Sequence, residues 1–106
     1  TFSDGLRQAL APYLGKEKPH KNLVAEALGV SPRTLHRRLA DEHTSYSEIL
    51  DQTRLMRAAT LLKETDMKLL DITLVLGYEN ASSFTRAFRR WAGLPPREYR
   101  QLHRNV

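Results

Sequence analysis

Apolar residues recur along this chain at spacings of three and four, and strict alternation is scarce. Three-and-four spacing is the mark of a helix with one buried side, so the chain is predicted to be all-α. Glycine and proline divide the patterned stretches at Pro12, Gly15, Pro19, Gly29, Pro32, Gly77, Gly93, Pro95 and Pro96. The first predicted helix runs from about Ser3 to Ala11 with Leu6 and Leu10 inward. Pro12 should end or bend it, because proline lacks the N–H the next turn needs. A basic loop, Lys16 to Pro19, follows. The second helix covers about Lys21 to Leu28 and closes at Gly29, where a left-handed residue suits a helix end. Ser31-Pro32 then reads as a helix start, with serine as cap and proline in the first turn.

The third helix runs to about Glu42. The fourth, about Ser47 to Glu64, has a predicted inward stripe of Ile49, Leu50, Thr53, Met56, Ala59 and Leu62. At ~1.5 Å per residue it spans roughly 27 Å. The fifth covers about Leu69 to Leu76, the sixth about Ala81 to Trp91, and a seventh opens at Pro96 and reaches about Leu102. The expected organisation is one domain. Residues 1–20 form a leading helix and loop, 21–46 a first helix-turn-helix, 47–65 a linking helix, and 66–106 a second helix-turn-helix with the terminal helix.

The pattern repeats once. Leu28-Gly29-Val30 followed by Leu35-His36-Arg37-Arg38-Leu39 is matched by Leu76-Gly77-Tyr78 followed by Phe84-Thr85-Arg86-Ala87-Phe88. The offset is 48 residues at the glycines (29 to 77) and 49 at the anchors (35 to 84), so the second turn is one residue longer. Neither copy reaches the roughly 40 residues usually needed for an independent core. The long fourth helix is therefore expected to serve both.

Charge adds a direction. Lys and Arg number 17 against 12 Asp and Glu, a net charge of +5 with a pI near 9.9, which favours a polyanionic partner. In a helix-turn-helix the second helix needs one apolar face for its brace and an opposite face with donors long enough for base edges. The third helix meets this: Leu35 and Leu39 set the buried side, Arg33 and Arg37 lie opposite, His36 flanks them, and Arg38 sits nearer the buried side, suited to a phosphate. The sixth does so again, with an inward ridge of Phe84, Phe88 and Trp91, an opposite face of Ser82, Arg86 and Arg89, and Thr85 and Arg90 on the flanks. Arginine bonds guanine O6 and N7 bidentately, histidine donates or accepts, and hydroxyls serve bases or phosphates. The aromatic ridge reads as core, since readers of single strands expose their aromatics.

These residues resemble the DNA-binding domain of the AraC/XylS family of bacterial regulators. The likeness runs from about Leu23 to Tyr99. It rests on Val24 to Leu39, on Arg54, Ala59 and Leu61-Leu62, and on Ile72, Leu76-Gly77-Tyr78, Ser83 to Trp91, Gly93, Pro96 and Tyr99. The resemblance implies seven helices in two homeodomain-like lobes joined by one long helix, with both recognition helices in successive major grooves of double-stranded DNA. Those grooves recur every ~34 Å, close to the expected linker length. It also implies base contacts at Arg33, His36 and Arg37, and at Ala81, Ser82, Ser83, Thr85 and Arg86. Ala81 offers nothing beyond contact with a thymine methyl. A preceding effector or dimerisation domain, contact with RNA polymerase, and a cytoplasmic, nucleoid-associated location follow from the same resemblance. The chain opens at Thr1 rather than Met and so reads as a fragment of something longer.

Three positions depart from the family pattern. Thr73 replaces a small alanine in the second brace and is expected to loosen packing there. Leu74 and Val75 stand where charged residues are usual, and are either covered locally or form an apolar patch for a partner. His43 occupies a turn position where glycine is common, and is expected to need a positive φ.

Other chemistries find little support. With no cysteine there is no disulfide or thiolate chemistry. His20, His36, His43 and His103 lack metal-ligand spacing, and no nucleophile elbow, phosphate loop or HExxH motif occurs, so neither an enzyme nor a cofactor is expected. No apolar run approaches the ~20 residues of a membrane span. The rival readings are a helical protein-interaction module, which Leu74 and Val75 would support, and the DNA-binding domain of a recombinase or transposase.

Overall fold

The computed structural model describes residues 1–15 and 21–104 of the 106-residue chain. The basic stretch Lys16 to Pro19 and His20 lie outside the described residues. The elements are α1 (Phe2–Leu10), α2 (Lys21–Ala27), α3 (Pro32–Asp41), α4 (Tyr46–Glu64), α5 (Leu69–Val75), α6 (Ala81–Ala92) and α7 (Pro96–Arg104). Among the described residues there is no strand, so the all-α expectation holds. Pro12 acts as foreseen: α1 stops at Leu10 and the chain tightens into a 3-10 turn over Ala11–Tyr13.

The chain divides into two compact units, Thr1–Thr53 and Arg54–Val106, with the boundary inside α4. The first core gathers Leu6 and Leu10 of α1, Leu14, Val24 and Ala25 of α2, Leu35 and Leu39 of α3, and Tyr46, Ile49 and Leu50 of α4. The second gathers Leu55, Ala58, Ala59, Leu61 and Leu62 of α4, Ile72 and Leu76, and Phe84, Ala87 and Phe88 of α6. One helix thus contributes to both cores.

This corrects the stripe expected on α4. Met56 is 50% exposed, whereas Leu55, Ala58 and Leu61, outside the predicted stripe, are buried. The first half follows Tyr46, Ile49, Leu50 and Thr53. The second restarts at Leu55 and continues through Ala58, Ala59 and Leu62, at i, i+3, i+4 and i+7. A single stripe drawn through both halves leaves the buried side where they meet, at Met56. Thr53 pays no desolvation penalty for burial, because its hydroxyl donates to the Ile49 carbonyl at 2.7 Å.

The C-terminal end of α4 is closed by side chains from α7. Arg100 donates from Nε to the Leu62 carbonyl at 3.0 Å, and from its guanidinium to the Thr65 carbonyl at 3.1 Å. Arg104 donates to the Thr65 carbonyl at 2.9 Å and pairs with Asp66 at 2.6 Å. The last carbonyls of a helix have no intrahelical donor, and cations suit that end of the helix dipole.

Candidate nucleic-acid interface

Two helix-glycine-helix turns carry the candidate site, and their backbones match bond for bond. After α2, Gly29 has φ 72, its N–H donates to the Glu26 carbonyl, and the Val30 N–H donates to the Ala25 carbonyl. After α5, Gly77 has φ 84, its N–H donates to the Leu74 carbonyl, and the Tyr78 N–H donates to the Thr73 carbonyl. Each pair of bonds is a Schellman closure, which needs a left-handed residue at the glycine position. Val30 and Tyr78 then turn inward, each packed on its own unit's core.

The next helix starts in each case on a polar cap. Ser31 Oγ accepts from the Thr34 N–H at 3.1 Å, with Pro32 in the first turn of α3. Asn80 Oδ1 accepts from the Ser83 N–H at 2.8 Å and opens α6. The cap lies two residues after Gly29 but three after Gly77, the extra residue read from the repeat offset. The asparagine cap escaped the sequence reading, although Asn before a helical stretch is a recognised start signal.

On α3, Leu35 and Leu39 are fully buried, while Arg33, His36, Arg37 and Arg38 are all exposed. Arg38 lies over the Phe2 ring of α1, 5.4 Å from its centroid. His36 meets a neighbour the sequence did not suggest: the Lys21 ammonium lies 3.1 Å from its Nε2. Lys21 also lies over the Tyr46 ring, 5.4 Å from its centroid. Fifteen residues separate Lys21 from His36, so only the packing of α2 on α3 brings them together.

On α6, Phe84 and Phe88 are fully buried, with Ala87 beside them. Phe88 meets Tyr99 edge-on with ring centroids 5.2 Å apart, and Phe84 meets Tyr78 at 5.3 Å. Trp91 departs from the predicted ridge. It is 42% exposed and only leans its ring on Phe88, centroids 5.7 Å apart. It sits in the last turn of α6, and Phe88 also meets Tyr99 of α7. Ser82, Arg86, Arg89 and Arg90 are exposed, and Ala81, Ser83 and Thr85 are half-buried.

Charge on the two helices is left unspent. Among the described residues, arginine–carboxylate pairs occur at Arg7–Asp4 and Arg104–Asp66, neither on α3 nor on α6. The side chains of Arg33, Arg37, Arg86, Arg89 and Arg90 make no hydrogen bond or ion pair among the described residues. Each helix thus presents free guanidinium groups on the side away from its buried residues, ready for an anion or a base edge.

Thr73 is fully buried in α5, and its hydroxyl donates to the Leu69 carbonyl at 2.8 Å, so the extra oxygen is satisfied within its own helix. Leu74 and Val75 are not covered locally: they are 56% and 48% exposed, and Leu70 is 58% exposed beside them. His43 has the positive φ expected of it, 60°. Among the described residues no three His, Asp or Glu side chains converge as a metal site requires, and no helix is long and apolar enough to cross a membrane.

A family model described as "Helix-turn-helix domain" matches residues 24–102. The chain belongs to the AraC-type helix-turn-helix family. It is 38% identical over 99 residues to the HTH-type transcriptional regulator VqsM of Pseudomonas aeruginosa, matching 91% of this chain and 30% of VqsM. The HTH-type regulators it matches are longer proteins, in which the matched part takes up 22 to 37% of the length. Among solved structures, a DNA-binding transcriptional dual regulator from Escherichia coli K-12 superposes with a TM-score of 0.85 at 27% identity, covering 95% of this chain and 96% of that one. The DNA-binding domain of AdpA, crystallised with a target DNA, shares the fold with a TM-score of 0.73 at 22% identity, covering 92% and 91% of the two chains.

Proposed function

We propose that this AraC-type domain is the sequence-reading part of a longer transcription regulator, and that α3 and α6 enter successive major grooves of double-stranded DNA. The observation that carries this reading is the duplicated turn. Two helices, each held by a buried face, each leave arginines unpaired on the opposite one. In this reading Arg33, His36 and Arg37 meet bases from α3, and Ser82, Ser83, Thr85 and Arg86 meet them from α6. Arg38, Arg89 and Arg90 meet phosphates, which position the protein without reading sequence. The chain is a binder rather than a catalyst, working in the cytoplasm on nucleoid DNA. An effector-sensing or dimerising domain elsewhere in the intact protein controls it.

Selection of bound duplexes from a random pool, at moderate salt, tests the reading. Two short motifs about one helical turn apart are expected. A single motif would leave one helix as a backbone clamp. No enrichment, with no binding at low salt either, would overturn DNA reading. It would also promote the protein-interaction alternative, which the exposed Leu70, Leu74 and Val75 favour. Within the DNA reading those three residues face a protein partner, and RNA polymerase is the one we assign. Leu74→Ser with Val75→Ser is then expected to spare DNA binding and lower transcription activation.

A further inference from the structure

We propose that Lys21 determines how His36 reads DNA, by fixing which ring nitrogen carries the proton. The inference rests on the reading of α3 as a groove helix.

An ammonium has three donors and no acceptor. Lys21 Nζ is 3.1 Å from His36 Nε2, so Nε2 must be the bare nitrogen and the ring proton sits on Nδ1. An imidazole in water favours the opposite tautomer, with the proton on Nε2. Lys21 is not a loose surface chain. It is half-buried at the first position of α2, and its charge lies over the face of Tyr46, which is itself 7% exposed.

The consequence concerns base choice. A lone neutral histidine offers one donor and one acceptor, and swaps them by changing tautomer, so it tolerates most base edges. With Lys21 bonded, the acceptor is occupied. The pair then shows only donors: the Nδ1–H and the remaining ammonium hydrogens. In the major groove, guanine presents two acceptors, N7 and O6, whereas thymine presents one, O4, beside its methyl, cytosine an amino donor, and adenine an amino donor beside N7. The Lys21–His36 pair therefore prefers guanine at a position where histidine alone would be permissive. Lys21 is a positioning residue that sets specificity through His36.

The 106-residue chain and its Lys21→Met and Lys21→Arg variants serve for the test, with thermal melts confirming that each folds. In a two-bond proton–nitrogen correlation spectrum of the free protein near neutral pH, the His36 ring is assigned by its loss in His36→Gln. Wild type is expected to show a bare Nε2 and a protonated Nδ1, and Lys21→Met to revert to the ordinary tautomer. A wild-type ring protonated on Nε2 overturns the proposal. In duplex selection, Lys21→Met is expected to lose about tenfold of its guanine preference at one position of the α3 motif, with the rest unchanged, and Lys21→Arg to restore it. If Lys21→Met instead weakens all duplexes equally and flattens the salt dependence, Lys21 is a phosphate contact and the proposal fails while the groove reading stands. If wild type enriches no motif at all, the groove reading falls and the proposal with it.

Discussion

Left-handed backbone closes four helices of the two units, at Gly29, His43, Gly77 and Gly93, so the residue in that conformation differs. Gly29 has φ 72 with nothing within 4 Å of where a Cβ would stand, and His43 has φ 60 with a full side chain. The bonds around His43 match those around the glycines: its N–H donates to the Ala40 carbonyl and the Thr44 N–H to the Leu39 carbonyl. A non-glycine residue in this region costs about 1–2 kcal/mol, and glycine returns part of that through the freer unfolded chain. His43→Gly is therefore expected to raise stability by about 0.5–1 kcal/mol, and Gly29→Ala to lower it by about 1–2 kcal/mol. Urea midpoints at unchanged m-value would show both. The residues proposed to meet bases call for a different assay. Arg37→Ala and Arg86→Ala are each expected to cost ~1–3 kcal/mol on the preferred duplex and to relax one position of its motif. An equal loss on every sequence would reduce them to phosphate contacts. Arg33, Arg37 and Arg86 were legible as exposed donors because helical spacing from Leu35 and Phe84 alone sets their direction. The Lys21 contact to His36 was not, because spacing within one helix says nothing about a neighbour on another.

At the scale of elements, the ends of α3 and α6 carry much of their definition. Ser31 and Asn80 each satisfy an N–H that the first turn cannot. Ser31→Ala and Asn80→Ala are each expected to cost about 1 kcal/mol of stability, measured by denaturation of the free protein. The far end of α3 is held differently. Ser3 of α1 donates from Oγ to Glu42 at 2.6 Å, and its backbone N–H approaches the same oxygen at 3.4 Å. The Ser3 hydroxyl bond, foremost, holds the Glu42 carboxyl below its ordinary value. A depressed carboxylate contributes stability above its unfolded value and loses it as pH falls through the lower folded value. Acid titration of wild type against Ser3→Ala is expected to show this: the difference between them shrinks as pH drops below the ordinary glutamate range. A constant difference down to acid pH would mean that Ser3 acts by packing alone. Neither Met56 nor Trp91 behaved as helical spacing suggested. A long helix that changes partner midway breaks its own stripe, and a last-turn aromatic depends on which side chain reaches the core first.

For the whole molecule, charge decides the mode of binding more than the fold does. The net charge of +5 includes six arginines on α3 and α6. Each phosphate neutralised by a protein cation releases counterions, so the logarithm of affinity falls with the logarithm of salt at about 0.9 per contact. A steep salt dependence is expected. Arg89→Ala and Arg90→Ala should each reduce that slope by about 1 while leaving the selected motif intact. A flat response in wild type would exclude phosphate contacts as the source of affinity.

The order of residues alone determined the helices, the glycine closures, the one-residue difference between the two turns and the faces of α3 and α6. Each of these follows from local periodicity or backbone preference, which act over a few neighbouring positions. Tertiary structure alone decided that α4 changes its buried side after Thr53, that Trp91 stays exposed while Tyr99 joins it on Phe88, that Leu74 and Val75 stay uncovered, and that Lys21 reaches His36. These depend on which surfaces meet, and chain segments far apart in sequence compete for the same space, a contest that no local pattern records.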